Sequence, residues 1–75
     1  MQKLTREITE HSDKLRYYAY NLTKNKEEAN DLTQETMFKA LKNKSKFVHK
    51  KNLQAWLFII MKNTFINQYR RKKYR

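Results

Sequence analysis

The 75-residue chain contains no cysteine, no proline and no glycine. Without cysteine, neither a disulfide framework nor a thiolate metal site can hold a small fold together, and the absence suits a reducing compartment. Without glycine and proline, the several tight turns that a β-rich domain of this size requires are hard to build. No apolar stretch follows the N-terminal methionine in the manner of a secretory signal. The longest apolar run is AWLFIIM, residues 55–61, far short of the ~20 residues of a membrane-spanning helix. These absences predict a cytoplasmic chain without membrane insertion, folded as one helical domain over residues 1–75. A domain this short buries only about 60–65% of the surface its unfolded form exposes, so its stability margin is thin.

Acidic residues are missing too, but from one half only. All seven lie between Glu7 and Glu35. Residues 1–35 set six Lys or Arg against those seven, for a net −1, and residues 36–75 carry twelve and no acid, which completes the formal +11. Such a half repels itself unless a polyanion is nearby. Nucleic acid is the first candidate and an anionic membrane surface the second.

What is present has helical periodicity. Leu4, Ile8, His11, Leu15, Tyr18 or Ala19, and Leu22 alternate at spacings of four and three, which predicts a helix over residues 3–23. Asn25 followed three residues later by Glu28 has the capping-box spacing, and Glu27 and Glu28 suit a helix N-terminus. A second helix over 26–43 follows, with Ala29, Leu32, Thr33, Thr36, Met37, Ala40 and Leu41 on its apolar stripe. Asn52 is a candidate N-cap for a third helix over 52–73. There Leu53, Trp56, Leu57, Ile60 and Thr64 form a ridge that Ile59, Ile66 and Tyr69 widen. Between these two lies a basic loop, residues 43–51. The expected fold is all-α, a small three-helix bundle.

No catalytic constellation stands out. His11 falls on an apolar stripe and reads as a packed imidazole, and His49 sits among lysines. Neither HExxH nor a carboxylate dyad occurs, and no glycine-rich loop exists to cradle a phosphate. No enzyme, metal site or cofactor is expected.

Two surfaces do carry chemistry. On the second helix Asp31, Gln34, Glu35, Phe38 and Lys42 lie opposite the apolar stripe. By themselves they are an ordinary solvated face with one aromatic; read for function, they are a protein-binding face with an aromatic anchor. On the loop and third helix, Asn43, Lys44, Ser45, Lys46, Lys50 and Lys51 precede Lys62, Asn63, Asn67, Arg70 and Arg71, with Phe58, Phe65 and Tyr69 nearby. Cations track phosphates, amides bond base edges and aromatic faces stack on unpaired bases. Twelve uncompensated charges exceed what one helix C-terminus can use. Trp56 reads as core, and its truncation to alanine is expected to cost about 3–5 kcal/mol.

The segments ANDLTQETMFKAL and NLQAWLFIIMKNTFINQYRRKK resemble the region 2 domain of bacterial sigma factors, above all the extracytoplasmic-function (group IV) class. Forms such as A-x-D-L-x-Q-E-x-F and N-L-x-A-W-L-x-x-I-x-x-N recur there; Met37 replaces the first form's Phe. The resemblance covers about residues 15–73. It implies a transcription initiation factor domain whose Asp31, Gln34, Glu35 and Phe38 face the clamp coiled coil in the largest subunit of core RNA polymerase. It implies that the loop 43–51 captures a base flipped from the non-template strand of the promoter minus-ten element. It implies, further, that Lys62, Asn63, Asn67, Arg70 and Arg71 border that element and help separate the strands. An anti-sigma factor joins the candidate partners. Family members usually continue into a second domain that reads the minus-thirty-five element, so an excised domain or a shortened relative is expected. Two other readings stay open: a general single-strand nucleic-acid binder, and a cationic amphipathic helix on a membrane surface.

The chain should prefer single-stranded non-template minus-ten DNA over the same duplex, because flipping a base out of a stack costs roughly a few kcal/mol. Its affinity should fall with salt at a log–log slope near about −0.7 per phosphate neutralised. Replacing Lys62, Arg70 or Arg71 should weaken all sequences alike, and changes at Asn63 or in the loop should alter base preference. Fluorescence anisotropy over single-base-substituted strands measures both; equal affinity for every strand would leave only a nonspecific polycation.

Overall fold

The computed structural model describes residues 2–47 and 52–73. Its helices are α1 (Gln2–Glu10), α2 (Ser12–Thr23), α3 (Lys26–Lys42) and α4 (Leu53–Lys73), with one 3-10 turn at Lys44–Lys46. No strand occurs among the described residues, so the class is all-α as expected, with four helices instead of three.

The extra helix comes from a break at His11. That residue has φ −85° and ψ 1°, outside the helical well, and its N–H reaches the Ile8 carbonyl three residues back at 3.2 Å. Helix α2 restarts at Ser12, with Asp13 in its first turn where a negative charge suits the dipole. The apolar stripe crosses the break undisturbed, because Ile8 and Leu15 on either side are both fully buried. Apolar spacing reports which positions are inside; it does not report whether the hydrogen-bond ladder between them is continuous.

Lys24 and Asn25 alone turn the chain from α2 into α3. Lys24 is the only non-glycine residue with positive φ among those described, at φ 56° and ψ 23°, and its N–H bonds the Tyr20 carbonyl at 2.7 Å. This left-handed cap, usually glycine, costs a side-chain-bearing residue about 1–2 kcal/mol. Asn25 is extended, and its Oδ1 accepts from the Glu28 N–H at 2.9 Å, the capping bond its spacing predicts. Asn52 does the same for α4, accepting from the Gln54 N–H at 2.9 Å and the Ala55 N–H at 3.4 Å.

Helix α3 is the centre of the bundle: α1, α2, α4 and the 3-10 turn all pack against it, α2 most extensively. The core gathers Leu4 and Ile8 from α1, Leu15 and Ala19 from α2, Ala29, Leu32 and Ala40 from α3, Phe47, and Leu57 and Met61 from α4. Three buried threonines join it. Thr33 Oγ1 donates to the Ala29 carbonyl at 2.8 Å and Thr64 Oγ1 to the Ile60 carbonyl at 2.7 Å, whereas Thr36 Oγ1 has no protein partner.

Helix α4 turns its expected ridge inward, with the deepest line shifted to one edge of it. The buried positions are Leu57, Met61 and Thr64, with Leu53, Trp56 and Ile60 half-buried beside them. Ile59, Ile66 and Tyr69, expected to widen the ridge, are 60%, 37% and 59% exposed. Ile59 lies two residues beyond Leu57, about 200° round a helix, so both cannot face α3. Apolar residues are spread round this helix, and sequence spacing alone does not say which side wins.

Trp56 is therefore at the margin of the core, its ring centroid 5.1 Å from that of Phe47 with the planes at 48°. Met61, absent from the expected ridge, is fully buried. Met61→Ala should cost about 2–5 kcal/mol, and Trp56→Ala less than the ~3–5 kcal/mol of a fully buried tryptophan. Urea unfolding compares them: the midpoint should fall further for Met61→Ala, and the opposite order would return Trp56 to the core.

Candidate protein and nucleic-acid interfaces

Because α3 spends its small residues on the core, its remaining side carries Asp31, Gln34 and Phe38 outward; all three are exposed, Phe38 by 66%. Lys42 is exposed at the end of the same face. Glu35 differs. Its side chain is 33% exposed, and its Oε1 stands 3.9 Å from Lys39 Nζ, one turn on, and 3.9 Å from Arg71 Nη2 on α4. Gln68 Nε2 donates to its other oxygen. Glu35 is thus a tie between α3 and α4, and the sequence-based picture of a purely solvated carboxylate does not describe it. Beside it runs a groove of about 630 Å³, with Glu28, Asp31 and Glu35 on one wall and Phe65, Gln68 and Tyr69 on the other.

The basic side begins where α3 ends. The Asn43 amide donates to the Lys39 carbonyl at 2.9 Å, so its side chain closes the last turn of α3. Lys44 Nζ donates to Thr5 Oγ1 at 3.0 Å, tying the 3-10 turn back to α1. Ser45 and Lys46 are exposed. Lys50 and Lys51 lie outside the described residues, as do Val48 and His49. On α4, Lys62, Asn63, Asn67 and Arg70 are all exposed along the outer side, with the exposed Ile59 and Ile66 among them. Arg71 is exposed as well but leans toward Glu35.

Phe58 and Phe65 are less open to bases than their spacing suggested. Phe58 stacks on Tyr18 with centroids 4.5 Å apart and planes at 19°, and both Phe58 and Phe65 pack against the core. Tyr69 lines the acidic groove.

Between the two surfaces lies a second cavity of about 310 Å³, at the junction of α3, the 3-10 turn and α4. Asn43, Lys46 and Asn63 line it, three residues singled out from the sequence. So do Lys39, which was not, and Trp56 and Thr64, which the sequence marks only as core. Lys39 was within reach of sequence reasoning, since it stands four residues after Glu35, the spacing of a helical ion pair. Its bond to Thr64, 25 residues away, had no such signal. Among the described residues no group of three or more His, Cys, Asp or Glu could hold a metal ion, and no helix is long and apolar enough to cross a membrane.

A family model described as Sigma-70 region 2 matches residues 8–75. Over 59 residues the chain is 44% identical to the ECF RNA polymerase sigma factor EcfG of Rhodopseudomonas palustris (strain TIE-1), covering 79% of this chain and 33% of that protein. Over 54 residues it is 41% identical to the RNA polymerase sigma factor YlaC of Bacillus subtilis (strain 168), covering 72% of this chain and 31% of that one. The chain spans about a third of the length of these relatives. Matched over nearly all its length, and built as helices around α3, the chain belongs to the sigma-70 region 2 family, with the extracytoplasmic-function character that its two motifs announce.

Proposed function

We propose that the chain acts in transcription initiation, docking on core RNA polymerase through α3 and engaging promoter DNA through the 3-10 turn, the loop after it and α4. The observation that carries this reading is the placement of opposite charge on adjoining faces of so small a bundle. An exposed acid, amide and aromatic at Asp31, Gln34 and Phe38 would serve no purpose in a simple polycation. In a polymerase-binding domain they form, with Glu35, a contact for the clamp coiled coil of the largest subunit, where acids meet basic side chains and Phe38 supplies apolar area.

The DNA side divides by chemistry. Lys44, Lys46, Lys50, Lys51, Lys62, Arg70 and Arg71 neutralise phosphates and hold the strand in register without reading it. Asn43, Ser45, Asn63 and Asn67 both donate and accept, and are suited to base edges. The substrate is the non-template strand of the minus-ten element as it becomes single, with one base flipped out; the exposed Ile59 and Ile66 offer apolar contact to unstacked bases on the same side of α4. The work belongs in the cytoplasm, with polymerase and chromosome. An anti-sigma factor would oppose it by covering the acidic groove.

Gln34→Ala should leave stability within about 0.5 kcal/mol while weakening capture by core polymerase several-fold. Glu35→Ala should weaken capture as well, and should also lower stability by about 1 kcal/mol, because it releases Gln68, Lys39 and Arg71 together. Pull-down with core polymerase and urea unfolding of the same variants separate these effects. A parent chain that core polymerase does not retain would defeat this reading and leave a general single-strand binder.

A further inference from the structure

The two lysines of the 3-10 turn are held differently. Lys46 is exposed, whereas Lys44 is half-buried. Lys44 Nζ donates to Thr5 Oγ1 on α1 at 3.0 Å, joining positions 39 residues apart. Thr5 has a firm seat: Leu4 and Ile8 beside it on α1 are both buried in the core, and its carbonyl accepts from Thr9 Oγ1 at 2.9 Å. The backbone of the same lysine closes the turn, its carbonyl accepting from the Phe47 N–H at 3.1 Å. Phe47 is in turn buried, with its ring against Trp56 of α4. The turn is therefore pinned at both ends, to α1 by Lys44 and to α4 by Phe47.

We propose that Thr5 is a positioning residue for DNA binding: its hydroxyl orients the Lys44 ammonium, and with it the 3-10 turn, for contact with a phosphate of the bound strand. The inference rests on the reading of the turn and loop as DNA-engaging. It adds to that reading a residue of α1, a helix that the reading does not otherwise use. Thr5 also precedes residues 8–75, on which the family assignment rests, so this role follows from the contact alone. An ammonium carries three protons, and the Thr5 oxygen accepts one of them, which leaves two. The hydroxyl is neutral, so the full charge of Lys44 stays available to a phosphate. A lysine loses much rotamer freedom when it is fixed on a partner. The Thr5 bond has fixed part of that freedom before DNA arrives, and binding then loses less.

A staple that only steadies the bundle would explain the Thr5 bond equally well, so the test asks whether Thr5 acts on DNA through Lys44. The 75-residue chain is titrated by fluorescence anisotropy against a labelled single-stranded oligonucleotide of mixed sequence, at several salt concentrations. Thr5→Val, of similar shape but without the hydroxyl, should weaken binding about threefold, the scale of one side chain that must now be ordered on binding. Thr5→Ser, which keeps the hydroxyl, should recover most of that loss. Lys44→Met should weaken binding more, and should flatten the log–log salt slope by about 0.7, the share of one phosphate. In the Lys44→Met background, Thr5→Val should change nothing further. Thr5→Ala, a better helix former, replaces Thr5→Val if circular dichroism shows lost helicity. Parent-like or tighter binding by Thr5→Val, an equal loss with and without Lys44, or an unchanged slope for Lys44→Met would overturn the positioning role and leave the DNA reading in place. A parent chain that does not bind the strand at all would sink the DNA reading, and this inference with it.

Discussion

Ala29, Thr33, Thr36 and Ala40 make up most of the buried side of α3, with Leu32 as the one large residue among them. Three helices and a turn press on this helix, and small side chains are what allow them to come close. The fit leaves little slack: adding methylenes at such positions typically costs about 1–3 kcal/mol. Thr36 shows that volume outweighs hydrogen bonding here, since its hydroxyl is buried without a protein partner. With that side occupied, the rest of α3 must face outward, which sets Asp31, Gln34 and Phe38 in one exposed row. The orientation of the candidate protein-binding face is thus a consequence of packing on the opposite side.

The two candidate surfaces are not independent. Glu35 faces Arg71 and Gln68 on one hand and Lys39 on the other, and Lys39 borders the small cavity beyond. Any cationic group that approaches Glu35 competes with Lys39 and Arg71 for it. These pairs are partly exposed, so each is worth only about 0–1 kcal/mol and is readily exchanged. Easy exchange suits contacts at the edge of an interface better than contacts that hold a fold.

What could be read from the residues alone depended on how local its cause was. Caps at Asn25 and Asn52 act within three residues, and both were legible. The stripe of α3 was legible because only a single aromatic, Phe38, interrupts its polar side. The break at His11 was hidden, since the pattern of buried residues runs through it and neither glycine nor proline marks it. In α4 apolar residues lie on several sides, so the inward edge at Leu57, Met61 and Thr64 depended on where α3 stands, and Ile59 and Ile66 were misread as core. Of the site, the two faces were visible as charge patterns. The lean of Arg71 toward Glu35, the bond of Lys44 to Thr5, and the cavity that joins Lys39, Trp56 and Asn63 depend on contacts across the bundle that no spacing encodes.

The two-residue connection at Lys24 and Asn25 has a bearing on how the chain reaches this structure. The most extensive helix pair, α2 with α3, is joined by a turn of only two residues, so closing it sacrifices little chain entropy. Helical chains dominated by such near-neighbour contacts fold in microseconds to milliseconds. The α2–α3 hairpin can therefore close before α4 docks, and until then the side destined for Leu57 and Met61 stays uncovered. In that interval the strongly cationic α4 is not yet packed, so the part already closed is a nearly neutral hairpin with an open apolar face. Aggregation would begin from that species, and the arrival of α4 ends its exposure.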